Sequence, residues 1–293
     1  MGTGELAAFG TALCWTVTVM SFETAGKKVG SLSVNIIRLF LGLVFLSVYC
    51  LLTRGRLFPT DAGGFRWLWL GLSGVVGFFL GDLCLFRAFI LIGSRITMVI
   101  FALVPPVTAL TGWMLLGETL QLKHWAGMVI TVTGISMVIL VREAKKVRFA
   151  HPLGGIVLAL LGTLGQAVGL VLSKYGMGTY NAFAATQIRI ISALAAFLII
   201  LPFFGFTKKI RKAALNRSAM GFITLGSFFG PFLGVSLSLV AVSLTKVGIA
   251  STIMALVPVL IIIPEVFLMG KRVRPLEVAG AFVAVAGVAL VSL

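Results

Sequence analysis

Asp82 is the acidic residue whose position most strongly suggests chemistry, because it lies inside the apolar stretch GLSGVVGFFLGDLCLF. In hydrocarbon a carboxylate costs about 2.5–3.5 kcal/mol unless it is paired, protonated or in contact with water. Arg87 follows five residues later, about 140° around a helix, so the partner should come from another segment. We expect Asp82 either to couple proton movement or contact a cation, or to be a static ion-pair partner or hydrogen-bond anchor. The candidate basic partners are Arg38, Arg189, Lys174 and Arg95.

Three more charged residues fall inside apolar stretches. Arg38 (NIIRLF) and Arg189 (TQIRII) each allow two interpretations, since a guanidinium can be a structural anchor or can bind an anionic group of a substrate. Glu265 follows Pro264 and precedes Arg272 by seven residues, which places both charges on one helical face. It is therefore either an ion-paired residue or a cavity residue.

Two amides in otherwise apolar segments, Gln166 and Gln187, complete the polar candidates. An amide in hydrocarbon needs a partner, which is either the protein or a substrate. The two His and three Cys residues lack the spacing of metal ligands, so no metal and no cofactor is expected. The sequence contains no GxxxxGK[ST], GxSxG or HExxH motif, so we expect no catalytic residues and no ATP-driven step.

The composition indicates that these residues are positioned by helices in lipid. Hydrophobic residues make up 59% of the 293 residues and charged residues only 11%, whereas a soluble domain is usually about a quarter charged. An excess of Lys and Arg over Asp and Glu gives a net charge of +16. These basic residues lie mainly in the short connections, where Lys and Arg set membrane topology and contact lipid headgroups. The expected partner is the bilayer and not a nucleic acid.

Ten apolar segments, each long enough to cross about 30 Å of hydrocarbon, predict an all-α integral membrane protein. They cover approximately 6–22, 34–52, 67–92, 96–116, 125–141, 152–172, 182–206, 219–244, 247–269 and 276–293. The third and fourth segments are separated only by the short connection around Gly93.

The chain is also internally duplicated. One gap-free shift lays residues 71–140 onto 224–293 with about 20 identities, and it matches Gly and Pro residues that shared hydrophobicity does not explain. The matches include Gly117 with Gly270 and Pro105 with Pro258; earlier in each half Arg38 aligns with Arg189. We predict five-helix repeats at 1–141 and 152–293, joined by a loop at 142–151. A unit of five helices ends on the side opposite its start, so the second repeat is inverted relative to the first.

Small residues and prolines recur at matched places in the two repeats. Glycines at four-residue spacing allow close helix packing in lipid, and the same interfaces are where repeats would rock. The candidate packing residues are Gly74, Gly77, Gly81, Gly226, Gly230 and Gly234. The candidate helix breaks are Pro105, Pro106, Pro258 and Pro264.

These features resemble the EamA family of the drug/metabolite transporter superfamily over essentially the whole chain. The resemblance is carried by Trp15 (ALCWTV), by Arg38, and by the stretch FRAFILIGSRITMVIFALVPPVTALTGWMLLGETLQLKHWAGMVITVTGISMVIL. The second half departs where Lys271 replaces the expected Glu, the counterpart of Glu118. The resemblance implies ten helices around a central cavity, with Trp15 lining it, and mostly efflux of metabolites such as amino acids.

The function expected from the sequence is secondary transport, with export of small polar or amphipathic metabolites across a cell (inner) membrane and protons as a candidate coupling ion. A lipid-linked carrier flippase, or an accessory subunit without transport of its own, is the alternative. The distribution of Lys and Arg puts both termini outside by the positive-inside rule, whereas the resemblance implies cytoplasmic termini. We therefore keep only the prediction that both termini share a side, and leave the oligomeric state open.

Overall fold

The computed structural model describes residues 2–142, 152–204, 207–270 and 273–293, and these contain ten helices long and apolar enough to span a membrane. In chain order α1 to α10 are Thr3–Val29, Ser31–Arg54, Gly64–Gly93, Ile96–Leu116, Leu122–Leu140, Leu153–Met177, Ala182–Ile200, Arg217–Leu244, Val247–Phe267 and Pro275–Ser292. The predicted all-helical, ten-span fold is confirmed. Residues 143–151, which make up nearly all of the predicted loop between the repeats, lie outside the described residues.

An even number of spans places both termini on one side of the membrane, which we call side A; side B is the opposite side. The α2–α3, α4–α5, α6–α7 and α8–α9 connections also lie on side A. A short basic helix, Thr207–Ala214, precedes α8 on side B and was not predicted separately. Asn216 caps the start of α8, because its Oδ1 accepts a hydrogen bond from the backbone N–H of Ala219 at 3.0 Å.

Two glycine-dependent features shape the chain at the helix ends. Gly93 turns the chain between α3 and α4 by itself, with φ +76° and ψ 164°, a conformation that L side chains rarely adopt. Gly117 and Gly270 end their helices at φ +66° and +62°. The matched pair in the sequence is therefore a matched pair of left-handed helix ends.

The matched prolines follow matched interruptions of α4 and α9. The α-helical pattern lapses at Ala102 and Leu103 before Pro105, and at Ala255 and Leu256 before Pro258. Proline cannot donate a backbone hydrogen bond and its ring crowds the preceding turn, so the break falls just upstream of it. Pro106 lies in the same turn as Pro105. Pro264 lies in the helical stretch Ile262–Met269, which includes the end of α9.

The packing of the helices follows a pseudo-two-fold relation between the repeats. α2 packs on α7, α4 on α9 and α5 on α10, so each of these helices meets its own counterpart. α1 packs along α8 in the same way that α6 packs along α3. Swapping the two repeats, so that each helix is replaced by the one five places along, leaves this set of contacts unchanged. Such a pattern indicates two related units, and the odd number of spans in each unit makes them inverted.

Glycines bring α5 and α10 into backbone contact. A Cβ added at Gly134 would meet the carbonyl oxygen of Gly280 at 2.6 Å, and one added at Gly127 would meet that of Gly287 at 2.8 Å. The repeat alignment pairs Gly127 with Gly280 and Gly134 with Gly287, so exchanging the repeats turns the first contact into the second. These four glycines, which appear in the sequence as repeat matches, therefore form one symmetric interface.

The predicted glycine rows on α3 and α8 also lie at helix interfaces, but their partners differ. On α3, Gly77 and Gly81 lie against glycines of α6, with contacts of 3.1 Å from a Cβ at Gly169 to the Cα of Gly77 and 2.9 Å from one at Gly165 to the Cα of Gly81. On α8, the predicted glycines lie under larger side chains of α1: Gly226 under Phe22, Gly230 under Thr18 and Gly234 under Trp15. Gly74 lies against the backbone of α7, where a Cβ would come within 2.1 Å of the Arg189 carbonyl oxygen.

We predict that Gly230→Leu lowers the thermal stability of the protein in detergent, by about 1–3 kcal/mol, because a Cβ at this position lies 2.8 Å from Thr18 Cγ2 and the helices must separate. Gly221→Leu in the same helix is the matched control, since a Cβ there meets nothing within 4 Å. Gly55 is a poorer control because its φ of +66° strains any L side chain. Equal melting temperatures for Gly230→Leu and Gly221→Leu would remove the packing interpretation.

Candidate functional site

The Asp82 carboxylate pairs with the Arg38 guanidinium, which reaches it from α2. The partner expected from another helix is therefore Arg38. Asn35, one turn earlier on α2, accepts a hydrogen bond from Arg38 Nε at 2.7 Å and fixes the orientation of the guanidinium. The Arg38 side chain is 19% exposed and that of Asp82 11%, so the pair is mostly buried without being sealed.

Gln166 joins this ion pair to the second repeat. Its Nε2 donates to Asp82 Oδ1 at 2.8 Å and to the Gly77 carbonyl at 3.1 Å. Gln166 lies on α6, whereas Asp82 and Gly77 lie on α3, so these hydrogen bonds cross between the repeats. The amide thus satisfies a carboxylate and a backbone carbonyl at once, as a polar group in hydrocarbon must be satisfied.

The ion pair lies at the end of a π-helical turn. Residues Val75–Gly81 of α3 form a π-helix, and Phe228–Gly234 of α8 form the other, at the equivalent positions of the two repeats. π-turns widen the helix by one residue per turn and occur often at functional sites. Nothing in the hydrophobic pattern indicated them.

The second repeat has the same geometry but different chemistry. The shift that matches the π-turns places Val235 where the first repeat has Asp82. Trp15 takes the place of Gln166: a Cβ on Gly81 would lie 3.4 Å from Gln166 Nε2, and one on Gly234 would lie 2.7 Å from Trp15 Nε1. A charged, hydrogen-bonded half therefore faces an apolar and aromatic half across the pseudo-two-fold axis.

Arg189 is the counterpart of Arg38, yet it has no carboxylate. The residue is only 4% exposed, and its guanidinium stacks over the Phe78 ring at 4.4 Å. Its Nε has no hydrogen-bond partner, and within the described ranges its side chain forms no ion pair. The structure thus separates the two arginines that the sequence analysis treated alike.

On side A, Glu118 connects the two repeats. Its Oε1 lies 2.6 Å from Lys174 Nζ of α6, and its Oε2 accepts a hydrogen bond at 2.8 Å from the backbone N–H of Val247. Val247 is the first residue of α9, where a carboxylate also complements the positive end of the helix. Lys174, a candidate partner for Asp82 in the sequence, is thus engaged with Glu118 and with the Thr245 carbonyl.

A second side-A cluster surrounds Asp61 in the α2–α3 connection. Arg54 Nη2 lies 2.5 Å from Asp61 Oδ2, and Tyr180 of the α6–α7 connection donates its hydroxyl to Asp61 Oδ1 at 2.9 Å. Partial burial raises the pKa of Asp61, but the Tyr180 hydrogen bond and the Arg54 charge outweigh it and leave the pKa below its ordinary value. Asp61 therefore stays ionised, and this contact between the repeats intact, until the pH falls below the ordinary carboxylate range.

The remaining candidates have structural surroundings. Gln187 is fully buried and donates to Ser47 Oγ at 2.9 Å and to the Leu57 carbonyl at 2.7 Å, which ties α7 to α2 and to the loop after it. Glu265 is half-buried near the side-B end of α9, and Arg272, its expected partner, lies outside the described residues. Among the described residues no group of three or more His, Cys, Asp or Glu side chains could hold a metal ion.

Sequence reasoning missed the side-A contacts and the role of Asn35. The Asn35–Arg38 hydrogen bond could have been predicted, because the two residues are three positions apart and therefore neighbours on one helical face. No sequence pattern predicts the pairing of Glu118 with Lys174 and Val247, because it joins helix ends from different repeats.

The fold and site define an inverted-repeat membrane transporter of the drug/metabolite transporter type. The model of the EamA-like transporter family matches residues 2–140 and 153–293, and the chain belongs to that family. A solved structure described only as a protein crystal structure is 16% identical, with a TM-score of 0.82 over 99% of this chain and 95% of that one. At that identity the likeness concerns the fold alone. No curated protein matches the chain.

We predict that Asp82→Asn and Arg38→Met each destabilise the protein by about 3–5 kcal/mol, because each leaves one mostly buried charge without its partner. The double variant should recover much of this loss, since no uncompensated charge remains. The matched control is the exposed pair Glu23–Lys27, whose removal should change the melting temperature little. Additive losses in the double-mutant cycle would contradict the pairing.

We predict that Glu118→Gln speeds hydrogen–deuterium exchange at the start of α9 several-fold, because the amide of Val247 loses a charged acceptor. Lys123→Met is the control, because Lys123 lies on the same side of the membrane and donates to the Leu293 carbonyl and not to α9. Unchanged exchange at residues 247–250 in Glu118→Gln would show that Glu118 does not hold this helix end.

Proposed function

We propose that this protein is a secondary transporter that exports small metabolites, such as amino acids and related polar or amphipathic compounds, across the inner membrane, with proton movement coupled at Asp82. The observation that supports this most directly is the Arg38–Asp82–Gln166 cluster. It is titratable, lies within the spanning helices, and is assembled from both repeats.

Protonation of Asp82 would change the contact between the repeats. The ionised carboxylate accepts from Arg38 of the first repeat and from Gln166 of the second. A proton on Asp82 removes the charge that Arg38 compensates and weakens both contacts. Arg38 retains Asn35 and the Phe22 ring, 5.7 Å from the guanidinium, as alternative neighbours. Proton uptake would in this way loosen α6 from α3, as alternating access requires.

The substrate would then cross between the π-turns of α3 and α8. On side A the Glu118 and Asp61 contacts join the repeats in this structure, so this side would open only when they separate. Pro105 and Pro258 interrupt α4 and α9 and provide places where these helices can bend. The direction of export rests on the family resemblance.

In proteoliposomes loaded with a panel of labelled metabolites, we expect Asp82→Asn to abolish gradient-driven flux while exchange without a gradient survives, with both rates expressed per mole of folded protein because this variant also melts lower. The amide keeps the shape of the side chain and removes its titration. Glu23→Gln, an exposed carboxylate change, is the control and should leave both activities unchanged. Gradient-driven flux at the wild-type rate in well-folded Asp82→Asn would eliminate the coupling role. No flux of any metabolite in the wild type would favour a flippase or an accessory subunit.

A further inference from the structure

Arg189 is a buried arginine whose positive charge has no compensating carboxylate among the described residues. It lies on α7 at the place that Arg38 occupies on α2, and it is 4% exposed. Within the described part of the chain it contacts no carboxylate, and its Nε lacks any acceptor. A desolvated guanidinium is costly unless an anion compensates it, so this arrangement requires an explanation.

No protein group nearby supplies that charge among the residues that the structure describes. Asp82 is committed to Arg38 and Gln166, and its counterpart in the second repeat is the neutral Val235. The Phe78 ring is the closest compensation that the protein provides, at 4.4 Å. A ring face attracts a cation but does not neutralise it or accept its in-plane hydrogen bonds.

The guanidinium also lies next to the Arg38–Asp82–Gln166 cluster. A Cβ at Gly77 would lie 3.7 Å from Arg189 Nη2, and the Gly77 carbonyl accepts the Gln166 amide that also bonds Asp82. Arg189 and the Arg38–Asp82 pair therefore flank one π-turn. Two arginines and one carboxylate leave this cluster with one uncompensated positive charge.

We propose that Arg189 binds the carboxylate of the transported molecule, which defines the substrates as small monocarboxylates with an apolar remainder. A planar guanidinium presents paired N–H donors that match a carboxylate, and one negative charge balances the cluster. The apolar remainder would face the aromatic and aliphatic side of the pseudo-two-fold axis, where Trp15 and Val235 lie at the π-turn of α8. This assignment rests on the proposed transport function and adds the class of substrate.

The first experiment measures ligand-induced thermal stabilisation of the purified protein in detergent, which does not depend on transport. The probes are L-leucine and 4-methylpentanoate, each compared with its own amide. We expect the carboxylates, and not the amides, to raise the melting temperature of the wild type. Arg189→Met should abolish this shift, and Arg189→Lys should retain part of it because a cation remains.

The stability of the unliganded variants separates this role from a structural one. Arg189→Met conserves most of the volume and removes an uncompensated charge, so the unliganded variant should melt at or above the wild-type temperature. A structural anchor predicts the opposite, namely a clear fall in melting temperature that Arg189→Lys repairs, and that result would overturn the proposal. The equivalent change Arg38→Met, which leaves Asp82 unpaired, is the contrast and should melt lower.

The second experiment measures counterflow of the same four probes in proteoliposomes. We expect the wild type to prefer each carboxylate over its amide by at least about tenfold, the size of a hydrogen-bonded charge contact, and Arg189→Met to lose the preference. Transport that discriminates equally in both proteins would overturn the carboxylate site and leave the transporter assignment standing. Carboxylate-dependent stabilisation without any flux would uphold the site and contradict the transport function.

Discussion

Helices in a bilayer gain little by exchanging lipid contacts for contacts with one another, so this protein depends on how closely its backbones can approach. Close backbone approaches occur where glycine faces glycine, as at Gly134 with Gly280 and Gly127 with Gly287, and where Gly74 faces the backbone of α7. Because each of these contacts is the image of the other under the pseudo-two-fold relation, one interface serves both repeats. The α5–α10 pair thereby forms a symmetric interface between the two repeats.

Within this symmetric framework the charges are asymmetric. The first repeat carries Asp82, which compensates Arg38, while the second carries Val235 at the equivalent position, and within the described residues Arg189 contacts no carboxylate. The duplicated backbone supplies two equivalent π-turns, and divergence of a few side chains has made them chemically different. A titratable group then needs to exist only once, because both repeats reach it: Arg38 from one, Gln166 from the other.

The contacts between the repeats also differ in where they lie along the helices. On side A, Glu118 joins Lys174 and the start of α9 through charge-assisted hydrogen bonds, and Asp61 joins Tyr180. These contacts connect helix ends and loops, whereas the Arg38–Asp82–Gln166 cluster lies within the spanning helices. The Asp82 and Glu118 side chains are 11% and 13% exposed, so separating either from its partner leaves a mostly buried charge that needs another partner.

The sequence by itself determined the ten spans, the duplication and the inversion, because span length is set by bilayer thickness and orientation by the odd number of helices in each repeat. It also predicted the helix ends at Gly117 and Gly270 and the need for a partner for Asp82, since these follow from local backbone freedom and from the cost of a charge in lipid. Only the tertiary structure decided that this partner is Arg38, that Lys174 belongs to Glu118, and that Arg189 has no carboxylate. Hydrophobic periodicity fixes which face of a helix is buried, but it carries no information about which helix of the other repeat lies opposite or at what height. The π-turns could not be predicted from the sequence for a related reason: a single widened turn leaves the composition unchanged and depends on the neighbouring helices.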